Sequence, residues 1–173
     1  MTSLEAFRRE LRLVRSARGT DPVLAGRAHY LRFNSLESPA LLERVGIQYD
    51  ESVGWPGHIA FRLGAAGPCR LYDAANGRVI NLIEMPLVCM DSTLAASGGI
   101  QQFAKIYDHL REIGGMVSVL FHPGTGHNPE YPEFDNIYNL TLTRVSEDGG
   151  RSWTPSEIVA ARSAFVATPV HVP

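Results

Sequence analysis

His122 ends an apolar run, MVSVLF (116–121), and Pro-Gly-Thr-Gly and a second histidine, His127, follow at once. A strand that only fills a core has no need of such an end. A histidine placed there can act as a general acid. Two other apolar segments end on acids: GIQYD (46–50) on Asp50 and IEMPLVCMD (83–91) on Asp91. Arg27, His29 and Arg32 lie in GRAHYLRF (26–33), and Arg62 follows His58 in a Gly- and Pro-rich stretch. This set suits hydrolysis. Carboxylates can hold or orient a histidine, and arginines can stabilise negative charge or orient a carboxylate. Each residue also has a plainer reading. His122 can be a strand-end histidine bonded to its turn, and His29 can be a satisfied structural residue. Asp91 and Asp50 can cap the segments that follow them. Arg27 and Arg62 can be salt-bridge partners, and His127 can be a surface residue.

The elements that must position these groups follow from periodicity. Leu4, Phe7, Leu11 and Val14 predict a helix over 3–17, with Arg8, Arg9, Arg12 and Arg15 on the opposite face. GRAHYLRF reads as a strand. Ser38-Pro39 starts a short helix that Gly46 closes. A brief strand at 46–50 precedes a long irregular loop over 51–69. The segment 70–82 fits a hairpin turned at Asn76-Gly77. Residues 83–91 read as one apolar strand. Ile100, Phe103, Ala104, Tyr107 and Leu110 share a helical face that Gly114-Gly115 stops, and MVSVLF then reads as a strand buried on both faces. Residues 136–150 predict a helix ended by Gly149-Gly150, and Thr154-Pro155 starts a last one. Alternating strands and helices predict an α/β fold with a mostly parallel sheet, in one domain over 1–173.

Composition narrows the function classes. The 173 residues carry a formal net charge of −2, so no overall field favours nucleic acid or an anionic membrane. No apolar run approaches the roughly 20 residues of a membrane span. The N-terminal segment carries acids and lacks the apolar core of a secretion signal, which points to the cytoplasm. Cys69 and Cys89 sit among apolar residues and read as buried free thiols rather than a disulfide or a zinc pair. G-x-S-x-G, Walker A, G-x-G-x-x-G, H-E-x-x-H and H-x-x-x-H patterns do not occur.

The pieces GRAHYLRF, ESPALLERVGIQYDESVGW, HIAFRLGAAGPCRLYD, LIEMPLVCMDSTL and VLFHPG, taken in order, resemble polysaccharide deacetylases of the NodB-homology type, the carbohydrate esterase family 4. The resemblance implies part of an irregular (β/α) barrel and hydrolysis of acetyl groups on sugars. It also implies a metal, usually zinc, that activates water. It makes His122 the acid that protonates the leaving amine and matches Arg27 to the arginine that orients the family's catalytic aspartate. Asp91 joins them as a catalytic candidate. Arg62, Trp55 and Asp50 are the candidates for substrate binding. The family's aspartate-rich first motif and its His-x-x-x-His pair fall upstream of the matched segments, so no metal ligand is assigned here. The chain then resembles the C-terminal part of the family domain. A barrel without its first strands has open edges, which a complementary N-terminal chain, a homodimer or the N-terminal helix would cover.

The expected partner is an acetylated sugar or polysaccharide, with neither nucleic acid nor membrane. The alternative function is a non-catalytic carbohydrate-binding or interaction protein, in which Trp55, Tyr131, Phe134 and Trp153 stack on sugar faces. A third is a metal-independent enzyme built on His122 with Asp50 or Asp91.

Overall fold

A computed structural model describes residues 4–17, 25–124 and 133–166. Helix α1 (Leu4–Ala17) leads to strand β1 (Ala25–Gly26), helix α2 (Ser38–Arg44) and strand β2 (Tyr49–Asp50). The hairpin β3 (Cys69–Asp73) and β4 (Arg78–Glu84) follows, then strand β5 (Leu87–Met90). Helices α3 (Asp91–Ala95) and α4 (Gly99–Ile113) carry the chain to strand β6 (Ser118–Leu120). Helices α5 (Glu133–Glu147) and α6 (Pro155–Val166) complete the order.

The strands make a four-stranded sheet, β1-β2-β4-β3, and a separate pair, β5-β6. Pairings β1–β2, β2–β4 and β5–β6 are parallel, and the β3–β4 hairpin is antiparallel. The fold is therefore α/β with mostly parallel pairing, and the strands of the described residues do not close into a barrel. Three apolar clusters hold the layers. Leu11 of α1, Val45, Ile47, Leu71, Ile80 and Leu82 form the first, joined by Phe7 and by Leu41 of α2. Helix α1 thus packs through Leu11 and Phe7 against the apolar side chains of the larger sheet. Tyr49, Ile83 and Met85 pack with Ile158 and Val159 of α6 in the second. The third joins Val88 and Cys89 of β5 to Leu94, Phe103, Tyr107 and Ile137.

Local chemistry explains most boundaries. Gly46 takes φ 83°, and its N–H donates to the Glu43 carbonyl oxygen at 3.0 Å, which closes α2. In the hairpin turn Gly77 takes φ 64°, and Asn76 Nδ2–H donates to Asp73 Oδ2 at 2.8 Å. Glu157 N–H donates to Thr154 Oγ1 at 3.3 Å, and Thr154 N–H donates to Glu157 Oε2 at 2.8 Å, a capping box at the start of α6. Both cysteines are free. Cys89 is buried and Cys69 half-buried, and burial pushes their thiols up to about 12 and about 11.

Several elements differ from the sequence expectation. The strand expected over 26–33 is two residues long, because after Gly26 the chain turns through a 3-10 segment, His29–Leu31. Residues 83–91 are not one strand: β4 runs on to Glu84, Met85-Pro86 interrupts the pairing, and β5 starts at Leu87. Strand β6 is only half-buried along its length, not buried on both faces, and among the described residues it pairs with β5. Val14 is exposed and leaves the apolar seam of α1. Phe134 is buried, and Trp153 is half-buried against the α6 cluster. His127 and Tyr131 lie outside the described residues.

Candidate active site

Strands β5 and β6 run parallel with Met90 opposite Leu120. That register brings the residues after each strand, Asp91 and His122, side by side. Asp91 is the first residue of α3 and is 1% exposed, while the His122 side chain is 52% exposed. His122 Nδ1 lies 2.9 Å from Asp91 Oδ1 and 3.1 Å from Oδ2. The backbone N–H of His122 donates to Oδ2 at 2.7 Å, and Ser92 N–H donates to Oδ1 at 2.8 Å. Asp91 therefore takes up a free backbone N–H at the start of α3 and holds the histidine. The end of β5 is itself fixed. Thr93 Oγ1–H donates to the Met90 carbonyl oxygen at 2.6 Å and accepts the Met90 N–H at 3.0 Å. A carboxylate held this way orients the ring, and Nδ1–H directed at it leaves Nε2 as the atom that exchanges a proton with a substrate.

Arg27 belongs to a second group. Its guanidinium pairs with Glu51 and lies 3.3 Å from Ser118 Oγ. Ser118 Oγ–H donates to Glu51 Oε2 at 3.1 Å, and Tyr49 OH donates to the other Glu51 oxygen. Burial, and then this bond, push the Tyr49 phenol far above its usual range. Arg27 thus pairs with Glu51 and not with Asp91. Ser118 opens β6 and His122 lies beyond its far end, so the two groups sit toward opposite ends of that strand.

Asp50 belongs to a third group, sealed beneath the strand ends. It is 1% exposed, with Ser52 N–H on Oδ2 at 2.9 Å and Ser52 Oγ on Oδ1 at 3.0 Å. Neighbouring Glu84 is fully buried and accepts the Val53 N–H at 2.8 Å, but its Oε2 has no hydrogen-bond partner. Burial, and then the Asp50 charge, push Glu84 up to about 10, so it is a neutral acid at pH 7. Burial also raises Asp50. Asp50 thus shapes the loop at 51–54 and presents no surface to a substrate, contrary to the binding role expected of it. Arg62 and Trp55 meet, with the guanidinium carbon 4.9 Å from the ring centroid, and Arg62 Nη1–H donates to the Gly54 carbonyl oxygen at 3.2 Å.

Glu51, Ser118 and Glu84 escaped the sequence reading. An acid inside the apolar run NLIEMPLV was the available signal for Glu84. For Glu51 it was the doubled acid of YDE, and nothing in MVSVLF singles out Ser118.

Among the described residues no three His, Cys, Asp or Glu side chains gather to hold a metal ion. The carboxylates near the strand ends are already engaged, by His122, Arg27 and Ser52. They do not fit the metal that the resemblance implies, and no step here runs through one. No helix among the described residues is long and apolar enough to cross a membrane. No family model, curated protein or solved structure matches the chain.

Proposed function

We propose that the chain is a polysaccharide deacetylase-like hydrolase that removes acetyl groups from amino sugars, with His122 as its general acid and Asp91 as the residue that positions it. The observation that carries this reading is the bond of His122 Nδ1 to the buried Asp91 at 2.9 Å, at the carboxyl ends of two parallel strands. Groups that perform chemistry in parallel α/β folds gather at such ends. The order of the sequence segments supports the acetyl-sugar class and a deacetylase-type barrel. In the proposed step water adds to the acetyl carbonyl carbon. The carbon–nitrogen bond of the tetrahedral intermediate then breaks as His122 Nε2–H gives its proton to the leaving amine. Nε2 regains a proton from the added water's oxygen as acetic acid leaves, and Asp91 keeps the ring aligned.

The test is acetate release from the tetramer of N-acetylglucosamine by the full chain, with and without added zinc. We expect His122→Ala to lower the rate by about 10²- to 10⁴-fold, the usual contribution of a positioned acid. Equal rates for wild type and His122→Ala would refute the assignment. Sugar binding without acetate under every condition would replace it with the carbohydrate-binding alternative.

A further inference from the structure

Arg8, Arg12 and Arg15 recur at i, i+4 and i+7 along α1, so they share one stripe of the helix. The stripe spans roughly 10 Å at about 1.5 Å per residue. It borders a groove of about 480 Å³ against the end of α2, where Arg44 lines the other wall. The buried Leu11 and Val45 lie at its floor. The chain as a whole carries a formal net charge of −2, yet four guanidiniums line this one groove.

The negative groups beside them are already used. Glu43, the acid among the lining residues, accepts from Arg78 at 2.5 Å and from the Asn81 N–H at 2.7 Å. These bonds, Arg78 first, hold its carboxyl below the ordinary range. Carbonyls at a helix end repel an anion, but those of α2 are taken as well. The Val45, Ile47 and Gly46 N–H groups donate to the carbonyl oxygens of Leu41, Leu42 and Glu43 at 3.2, 3.0 and 3.0 Å. Arg15 Nη2–H donates to the Val45 carbonyl oxygen at 3.2 Å, which also fixes Arg15 at the groove. Among the described residues no acid pairs with Arg8, Arg12 or Arg44. Like charges at i, i+4 repel, so Arg8 and Arg12 weaken α1 until an anion lies between them.

We propose that this groove binds a linear oligophosphate, free or as the tail of a nucleotide. Each guanidinium is a planar fork that matches two phosphate oxygens. Three forks spread along roughly 10 Å, with Arg44 opposite, suit a chain of phosphates better than a single one. No aromatic side chain is among the lining residues described, so recognition rests on the phosphates. The groove is built on elements that carry neither His122 nor Asp91, and it stands independently of the acetyl-sugar reading.

The experiment is calorimetric titration of the full chain with inorganic tripolyphosphate, orthophosphate and ATP, alongside thermal melting of every variant. Tripolyphosphate should bind about tenfold more tightly than orthophosphate, since it reaches several forks at once, and should raise the melting temperature. Arg12→Gln and Arg44→Gln, on opposite walls, should each weaken it by about three- to tenfold. Arg9→Gln removes the same charge from α1 outside the lining and should stay within about twofold of wild type. ATP binding with the same dependence on Arg12 and Arg44 would support the groove and name a nucleotide tail as its source. Tripolyphosphate binding without ATP binding would support it and name the free chain. No binding of tripolyphosphate, or equal affinity for orthophosphate, would overturn the proposal. An Arg9→Gln loss as large as that of Arg12→Gln would overturn it too, by showing a general effect of charge.

Discussion

Glu84→Gln is expected to make the protein more stable at neutral and alkaline pH, although it alters a fully buried side chain. In the folded chain Glu84 keeps its proton up to about pH 10, whereas its ordinary value is 4.5. Between those values the folded state binds one more proton than the unfolded state. Stability from this group is therefore full at low pH and falls as pH rises, by about 1.4 kcal/mol per pH unit. At pH 7 the deficit reaches about 3 kcal/mol by the same linkage. Asp50 is raised as well and acts in the same direction. Glutamine keeps the shape and the oxygen that accepts the Val53 N–H, cannot ionise, and offers an amide N–H toward the Asp50 carboxylate. After imperfect geometry is allowed for, a net increase of about 1–3 kcal/mol at pH 7 is expected, or roughly 3–10 °C in melting temperature. Urea unfolding at pH 5, 6, 7 and 8 reads the effect. Wild type should lose stability steadily over that range, and the variant should lose it less steeply, with little difference between the two at pH 5. Parallel curves, or a variant weaker than wild type at pH 8, would show that Glu84 is ionised in the fold and that the account of its burial is wrong.

Asp91→Ala removes the acceptor of the His122 and Ser92 backbone N–H groups and the partner of the His122 ring, and should destabilise by about 1–3 kcal/mol. A cost below about 0.5 kcal/mol in urea unfolding would mean that these bonds do not hold the strand ends together. Gly99→Ala would set a Cβ 2.1 Å from the Thr93 carbonyl oxygen and 2.6 Å from that of Leu94. Because both contacts are backbone, α3 must shift against α4 at a cost of about 3 kcal/mol, and Asp91 moves with α3. A melting temperature within about 2 °C of wild type would show that the joint between the two helices yields freely.

The legibility of this fold in its sequence depended on range. Helices α2, α4, α5 and α6 were readable because caps, stops and apolar spacing act over a few residues, and Gly46, Gly114 and Thr154 mark their ends. The hairpin was readable from Asn76-Gly77 for the same reason. Strand β1 failed because GRAHYLRF carries a strand's composition but is bent by Ser52, a residue far along the chain, which takes the Ala28 N–H. The break after β4 failed because an apolar run looks the same whether or not Met85-Pro86 interrupts its pairing.

The site divides along the same line. Asp91 and His122 could each be picked out as strand-end residues, and only the Met90–Leu120 register joins them. Arg27 could be picked out too, yet Glu51 claims it, since two residues that follow neighbouring parallel strands meet across the sheet end. The Asp50–Glu84 pair arises in the same way, from the β2–β4 register that sets the two acids opposite each other. Strand-end residues thus name the actors, and the parallel register assigns the partners. Shifting β6 by one residue against β5 would turn His122 away from Asp91 while leaving every local signal in the sequence unchanged.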